Sequence, residues 1–459
     1  MKTKVISEAD YIALAEKQES HFFDHKAIAI SGKKVQKIAT AFANADGGDF
    51  IIGIADVSEQ LFVAQRWQGA DPEAFNSHIQ ALSEIKPSLQ ADFLFLTCEG
   101  KTGQVLQITI EKSPDVHRTA SGDVYLRKGA QSLKLHEDQI KELSFAKGAT
   151  SFEDYLVPSV PPDEVVDSPV LARFLEGYAP QTVPYDFAFG QNLIDRKTFD
   201  PRVAGILLFS ESPSAFMPRK CAARITRYKT KEDDPERDHL ESSVTIEGPL
   251  YTLIGQTVAK VTEIMSTVNV WTTTGLQTLQ YPPEAIWEIV ANAFIHRDYS
   301  ISDDVQILIF DDRIKVISPG RLPGYVTPKN ILSARFSRNS KIVRTLAKYP
   351  DPPNKDLGEG LNTAFQKMKD WKLRPPEITE DENYVHVVIP HIALASATDS
   401  ILEFLVSHST ITNRQARDIT GIRSENAMKN EFYKLRDAGK LEMVPELKGS
   451  AAAWRLKSS

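Results

Sequence analysis

Two stretches of the 459-residue sequence place side chains at spacings suited to chemistry on phosphates. In the first, Glu19-Ser-His-Phe-Phe-Asp24-His-Lys26 holds two carboxylates and a lysine, and Asp56 follows a short apolar run. If Asp24 and Lys26 lie two apart on a strand, they face the same side. Glu19, Asp24 and Asp56 would offer oxygen ligands of the kind Mg²⁺ or Mn²⁺ takes, and Lys26 would neutralise a scissile phosphate. A solvated acidic edge is the plainer alternative. In the second stretch, Glu284, Glu288, Asn292 and His296 step by four along one polar stripe, apart from an apolar stripe of Ile286, Ile289, Val290 and Ala293. A carboxylate to orient water and an amide one turn later to hold a metal is what a phosphate-hydrolysing helix presents. An ordinary exposed helix face has the same spacing.

These residues need elements to position them. Val35, Ile38, Ala39, Phe42 and Ala43 recur at helical spacing until Asn44-Ala-Asp-Gly-Gly stops the helix. A strand over Phe50 to Ile54 follows, then strands over 91–97, 104–110 and 124–127, so an α/β unit is expected to end near residue 148. After the proline-rich joint at 157–163 come a helix over 169–177, a buried strand over Ala204 to Phe209 with Ala222 to Tyr228 as its partner, and a long helix over 250–268. Pro282-Pro283 suits the first turn of the helix carrying the polar stripe, and a hairpin turns around Asp311-Asp-Arg. Helices at about 396–407, 412–420 and 424–438, then a strand pair at 441–444 and 452–456, give the winged-helix order.

The run Ala41-Phe-Ala-Asn44-Ala-Asp46-Gly47-Gly48 leading to Ile51-Ile-Gly53 and Asp56, with Tyr125-Leu-Arg127 and Gly129 later, resembles the Schlafen AlbA-like domain. That resemblance implies that Glu19, Asp24 and Asp56 fall where ribonuclease members bind a divalent metal, with Lys26 beside them. One departure is that the usual Glu-Phe before the lysine reads Asp24-His25, a shorter acid that would shift the metal. Further along, Glu288, Asn292 and His296-Arg-Asp-Tyr299, then Ser318-Pro-Gly320, Arg338-Asn339 and Gly358-Glu-Gly360, resemble the GHKL-type ATP-binding domain joined to Schlafen-like domains in predicted bacterial transcriptional regulators. This implies Glu288 as the base for water, Asn292 as an Mg²⁺ ligand, and Gly320, Arg338, Asn339, Gly358 and Gly360 near ATP, glycine letting backbone N–H groups approach phosphates. Ser318-Pro-Gly replaces the adenine-reading Asp-x-Gly box of that superfamily.

The expected class is therefore α+β and multidomain. A Schlafen AlbA_2-like domain spans 1–148, an α/β connecting region 149–270, a GHKL-like α/β sandwich 271–392 and a winged helix-turn-helix 395–459. The last piece holds ten Lys or Arg and eight Asp or Glu, a balance of 10 − 8 = +2 against −7 for the chain. Arg414, Arg417, Arg423 and Lys429 are expected phosphate contacts there, and Asn426 and Lys429 lie on a helix that could enter the major groove. In the first domain Arg127 and Lys128 are expected on nucleic acid. A protein-interaction module is the alternative use of the winged helix.

Composition and motifs exclude other classes. The two cysteines, Cys98 and Cys221, are too far apart in sequence and too few for a disulfide framework or a cysteine zinc site. The acidic N-terminus is not a secretory signal, and no run of about 18 apolar residues occurs, so a cytoplasmic protein without membrane spans is expected. His296-Arg-Asp298 lacks the Asn and Gly-rich loop of a kinase, and Gly32-Lys33-Lys34 is not a P-loop. The expected function is a nucleotide-responsive DNA-binding regulator acting as a homo-oligomer on DNA or RNA. Two rivals stay open, a metal-dependent RNase or DNase of defence type and an interaction scaffold.

Overall fold

The computed structural model describes residues 2–459 except 273, 274, 279, 354–359, 392–397, 399, 400, 403, 406, 407, 421, 423, 446–451, 458 and 459. The chain divides into two compact units, Met1–Met368 with Pro375–Pro390, and Lys369–Arg374 with His391–Ser459. Among the described residues no helix is long and apolar enough to cross a membrane.

The first unit opens with β1 (Lys2–Ile6), α1 (Glu8–Glu16), β2 (Phe23–Lys26), α2 (Gly32–Asn44), β3 (Gly48–Ile52), α3 (Asn76–Ser83), β4 (Ala91–Cys98) and β5 (Val105–Ile110). Its strands form one sheet in the order β1-β4-β5-β3-β2, with β1 parallel to β4 and β2 parallel to β3. The Ser31 side chain caps α2 by accepting from the Lys34 N–H. Val35, Ile38, Ala39, Phe42 and Ala43 then pack on Phe50, Phe95, Leu106 and Ile108 of the sheet, each large side chain contributing roughly 1.5–3 kcal/mol by burial. Gly47 ends this helix with φ +79°, and a Cβ there would lie 2.6 Å from the Ile110 carbonyl oxygen, so the Gly-Gly stop is required by space as well as by torsion. A hairpin of β6 (Tyr125–Lys128) and β7 (Gln131–Lys134) crosses α2, and α4 (Glu137–Lys147) ends on left-handed Gly148.

Short helices follow, α5 (Asp163–Val166), α6 (Pro169–Tyr178), α7 (Pro184–Gly190), α8 (Val203–Phe209) and α9 (Pro213–Phe216). The strand expected over Ala204 to Phe209 is thus a buried helix. Seven successive apolar residues carry no periodicity that separates the two, and Gly205, whose Cβ would meet the Leu193 oxygen at 2.9 Å, lets the helix close on the preceding chain. Its expected partner strand exists but pairs elsewhere.

The remainder of this unit comprises β8 (Ala222–Tyr228), β9 (Leu240–Glu247), α10 (Leu250–Met265), β10 (Asn269–Thr272), β11 (Gly275–Thr278), α11 (Pro283–Ile295), β12 (Val305–Ile309), β13 (Arg313–Pro319), α12 (Ser340–Leu346), α13 (Gly360–Asp370), β14 (Glu377–Glu380) and β15 (Tyr384–Pro390). Six of these strands form a sheet in the order β14-β15-β13-β12-β8-β9. Since β8 runs parallel to β12, pairing Ala223 with Val305, one sheet draws strands from both sides of residue 270, where a boundary between regions was expected.

The second unit contains β16 (Ile411–Thr412), helices Asn413–Thr420 and Glu425–Asp437, β17 (Leu441–Met443) and β18 (Ala453–Leu456), the strands in the order β16-β18-β17. Ser424 caps the second helix through the Ala427 N–H. Met428, Phe432 and Leu435 turn its apolar side onto Ile411, Leu441 and Trp454, with the Phe432 and Trp454 rings stacked 5.2 Å apart. The helix expected over 396–407 falls largely outside the described residues.

Candidate functional site

The first cluster is built on β2. Alternation along the strand puts Asp24 and Lys26 on one side and His25 on the other. Lys26 Nζ lies 2.6 Å from Asp24 Oδ1 and also bonds the Glu19 carboxylate. The other Asp24 oxygen accepts from Arg127 Nη1 at 2.8 Å. Burial and the neighbouring Asp24 push the Glu19 carboxyl above its ordinary range, while burial lowers His25. Burial works against the Lys26 charge, but its bonds to Asp24 and Glu19 outweigh this and raise it.

Glu19, Asp24 and Lys26 are therefore brought together, while Asp56 takes its hydrogen bonds elsewhere yet lies close enough for its charge to act on Lys26 and His25. Asp56 lies beyond the end of β3, where one carboxylate oxygen accepts from the Ser58 N–H, the Ser58 hydroxyl and the Glu59 N–H. Burial opposes its ionisation, yet those bonds hold its carboxyl below the usual range. Among the described residues no group of three His, Cys, Asp or Glu is placed to hold a metal ion. As folded, the Lys26 ammonium lies between Glu19 and Asp24, so a divalent ion there would face like charge unless Lys26 moved away.

The expectation that Arg127 contacts nucleic acid is corrected. Arg127 is 2% exposed. Its guanidinium donates to Ser20 O (3.1 and 2.8 Å), Phe23 O (3.2 Å), Asp24 and Ser132 Oγ (3.4 Å), and lies over the Phe42 ring. A planar fork that satisfies several carbonyls is a structural use of arginine. Lys128 points outward and pairs with Glu382 at 3.0 Å.

The second cluster lies on α11, whose stripe of Glu284, Glu288, Asn292 and His296 is less buried than the flanking Ala285, Ile289 and Ala293. Asn292 Nδ2 donates to Glu288 Oε1 at 3.3 Å, so the Asn292 oxygen is the atom that would take a cation. Gly360 opens α13 directly against this pair, since a Cβ there would lie 1.5 Å from Glu288 Oε1. Lys367, two turns on, pairs with Glu284 at 3.4 Å. Beside α13, Leu332, Ser333, Arg335, Asn362, Gln366 and Lys367 line a cavity of about 400 Å³. His296 is half-buried, and its imidazole is pushed down to about 4 by desolvation of the ring and by the Arg338 charge.

Three other expected nucleotide contacts serve the fold instead. Arg338 is 3% exposed and donates to Ala146 O and Arg321 O, each at 2.7 Å. Asn339 is wholly buried and its amide bridges Ile295 O and Arg297 O at 2.9 Å, closing the end of α11. Gly320, at φ +104°, packs where a Cβ would meet Asp298 Cβ at 2.5 Å and Arg338 Nη1 at 2.6 Å. Ser318, in the place of the adenine-reading acid, donates its hydroxyl to Ala293 O at 2.7 Å. Gly358 and Arg423 lie outside the described residues.

In the second unit, Asn426 and Lys429 share the exposed side of helix Glu425–Asp437, and Arg414 is exposed on the helix before it. Lys429 pairs with Glu425 at 2.8 Å, one turn away. Arg417 is half-buried.

A residue that spacing did not single out is Asp46. It accepts from His21 Nε2 and Arg321 Nη2, each at 2.7 Å, and lies 3.5 Å from Lys112 Nζ. Its only sequence signal was membership of the Asn44-Ala-Asp-Gly-Gly stop, where Asn44 itself bridges His117 and Tyr125 of neighbouring segments.

Residues 19–136 match the family described as Schlafen, AlbA_2, and residues 302–389 match the family described as putative ATP-dependent DNA helicase recG C-terminal. The chain thus combines an AlbA_2 segment with an ATPase-like segment, which marks it as a nucleic-acid-related protein. Among solved structures it is similar to the DIP2311 protein from Corynebacterium diphtheriae, at 17% identity over 98% of this chain and 96% of that one, with a TM-score of 0.41. No curated protein matches the chain.

Proposed function

We propose that this protein is a nucleotide-responsive DNA-binding transcriptional regulator. The observation that carries the reading is the packing of Gly360, which opens α13, directly on Glu288 of the half-buried polar stripe, with Asn292 one turn later donating to the Glu288 carboxylate. In this reading the ATPase-like part, on a GHKL-type sandwich, takes ATP with Mg²⁺, Asn292 holding the cation and Glu288 facing the terminal phosphate. The second unit acts as a winged helix whose exposed Asn426 and Lys429 meet bases and phosphates, with Arg414 on the backbone. Two copies paired about a two-fold axis would supply specificity that one modest +2 module lacks.

The test is a gel shift of the full-length protein on pooled genomic duplex fragments with and without Mg·ATP. Binding that responds to Mg·ATP in the wild type and is unresponsive in Asn292→Ala supports the reading. Binding that ignores Mg·ATP in both sinks it.

A metal-dependent nuclease is the second reading, favoured by the convergence of Glu19, Asp24 and Lys26. It requires Lys26 to leave its carboxylates when substrate phosphate arrives. Cleavage of labelled RNA or DNA with Mg²⁺ or Mn²⁺ that vanishes in Glu19→Gln would establish it.

A further inference from the structure

The AlbA_2 segment and the ATPase-like segment are joined inside the first unit by a seam of charge. Asp46 and Glu380 lie on opposite sides of it, and both reach the same two cations. Arg321 Nη2 is 2.7 Å from Asp46 and 3.5 Å from Glu380, and Lys112 Nζ is 3.5 Å from Asp46 and 3.7 Å from Glu380. Lys112 also donates to Leu322 O and Val326 O, and Glu380 accepts from the Leu322 N–H. Burial opposes the charge on Asp46, but its bonds to His21 and Arg321 hold its carboxyl well below the usual range, so Asp46 is ionised at neutral pH.

Each end of the seam leads to one candidate cluster. On one side Arg321 gives its backbone oxygen to Arg338, which also reaches His296 O at 3.4 Å, the residue closing the helix that carries Glu288 and Asn292. On the other side Asp46 holds His21, whose neighbour Ser20 gives its oxygen to Arg127, the partner of Asp24. The path α11, Arg338, Arg321, Asp46, His21, Arg127, Asp24 is unbroken, apart from covalent steps between adjacent residues. The Arg321 side chain is partly exposed, at 28% against 8% for Lys112, and it sits on a loop beginning at left-handed Gly320. One nitrogen of the Arg321 guanidinium thus bridges two carboxylates, one from each side of the seam.

We infer that this Arg321–Asp46–His21 seam is a built-in switch coupling the two clusters, so that a ligand at Glu288 and Asn292 alters how tightly the Glu19–Asp24–Lys26 cluster holds its strand and any nucleic acid on it. The ligand half of this statement rests on the nucleotide reading above; the mechanical half does not. Coupling between sites is reciprocal, and typical values change affinity by about 5- to 150-fold.

The experiment is hydrogen exchange by mass spectrometry on the full-length protein, wild type, Arg321→Ala and His21→Ala, each with and without Mg·ATP. Without ligand, Arg321→Ala should speed exchange of residues 19–26 across the seam by about 5-fold or more, and His21→Ala should speed exchange of residues 292–298. Faster exchange confined to the mutated side in both variants overturns the switch. With Mg·ATP, wild-type residues 19–26 should change protection and those of Arg321→Ala should not; an equal change in both variants also overturns it. Absence of any Mg·ATP effect in the wild type, with the ligand-free coupling intact, defeats the nucleotide reading while leaving the mechanical coupling standing.

Discussion

Arg127 gives the sharpest test of the fold, because the same residue has opposite meanings as a surface contact and as a buried clamp. Its side chain is 1% exposed and that of Asp24 3%. Arg127→Ala removes a charge-assisted bond to Asp24, bonds to Ser20 O and Phe23 O, and the stack on Phe42. Breaking a buried ion pair on one side costs about 3–5 kcal/mol. Lys26 remains 2.6 Å from Asp24 Oδ1 and keeps that acid partly compensated, so the lower end, about 3 kcal/mol, is expected. At about 1.4 kcal/mol per factor of ten, this corresponds to roughly 100-fold faster exchange of the most protected amides of β2, β3 and the residue after β3, among them Asp49 and Gly53, which bond Phe22 O and Lys26 O. The assay is native-state hydrogen exchange on the whole chain, which reports this sheet separately from the second unit. Adding Asp24→Asn to Arg127→Ala should recover part of the loss, since the uncompensated carboxylate goes with it. Unchanged protection in Arg127→Ala, together with weakened nucleic-acid binding, would refute the buried-clamp account and return Arg127 to the surface.

Three further outcomes are expected. Lys147 is buried with Nζ 2.9 Å from Ala43 O, and burial with the Lys112 charge lowers its ammonium to about 7. Because the folded value lies below the ordinary 10.5, the unfolded chain binds more protons between about pH 7 and 10, so stability should rise with pH across that window; Lys147→Met should flatten that rise in urea titrations at several pH values. Gly360→Ala must push the Glu288 carboxylate away, so the variant should keep its melting temperature within a few degrees yet lose any Mg·ATP turnover; turnover at the wild-type rate would remove Glu288 from the site. Arg414→Glu and Lys429→Glu should each weaken duplex binding, and Arg414→Ala should lower the slope of log affinity against log salt by about 0.9, the share of one phosphate contact; an unchanged slope would place Arg414 off the DNA.

Periodicity carried the elements whose burial is one-sided. The α2 stripe of Val35, Ile38 and Phe42 and the α11 stripe of Glu288 and Asn292 both stand where spacing put them. It failed on Ala204 to Phe209, where burial on every side erases the period. The candidate sites were legible as residue types, but their engagement was not. Lys26 between Glu19 and Asp24 follows from strand alternation plus a loop, while Arg127 on Asp24 is a contact across 103 positions that no local pattern encodes. Arg338, Asn339 and Gly320 show the opposite error. Their motif spacing resembles a nucleotide site, but Arg338 and Asn339 bond the carbonyls of Ala146, Ile295 and Arg297, and Gly320 packs against Asp298.

The seam between Asp46 and Arg321 also limits how this chain can be recombined. Asp46 lies within one family segment and Arg321 within the other, so each segment carries half of a lock whose key is on its neighbour. A chimera that transplants residues 19–136 onto an unrelated ATPase-like segment would leave Asp46 and Lys112 facing a surface without Arg321 and Glu380 to answer them. Such grafts should succeed only when the loop after β13 and the end of β14 travel with the donor piece, which makes the two segments a single inherited part.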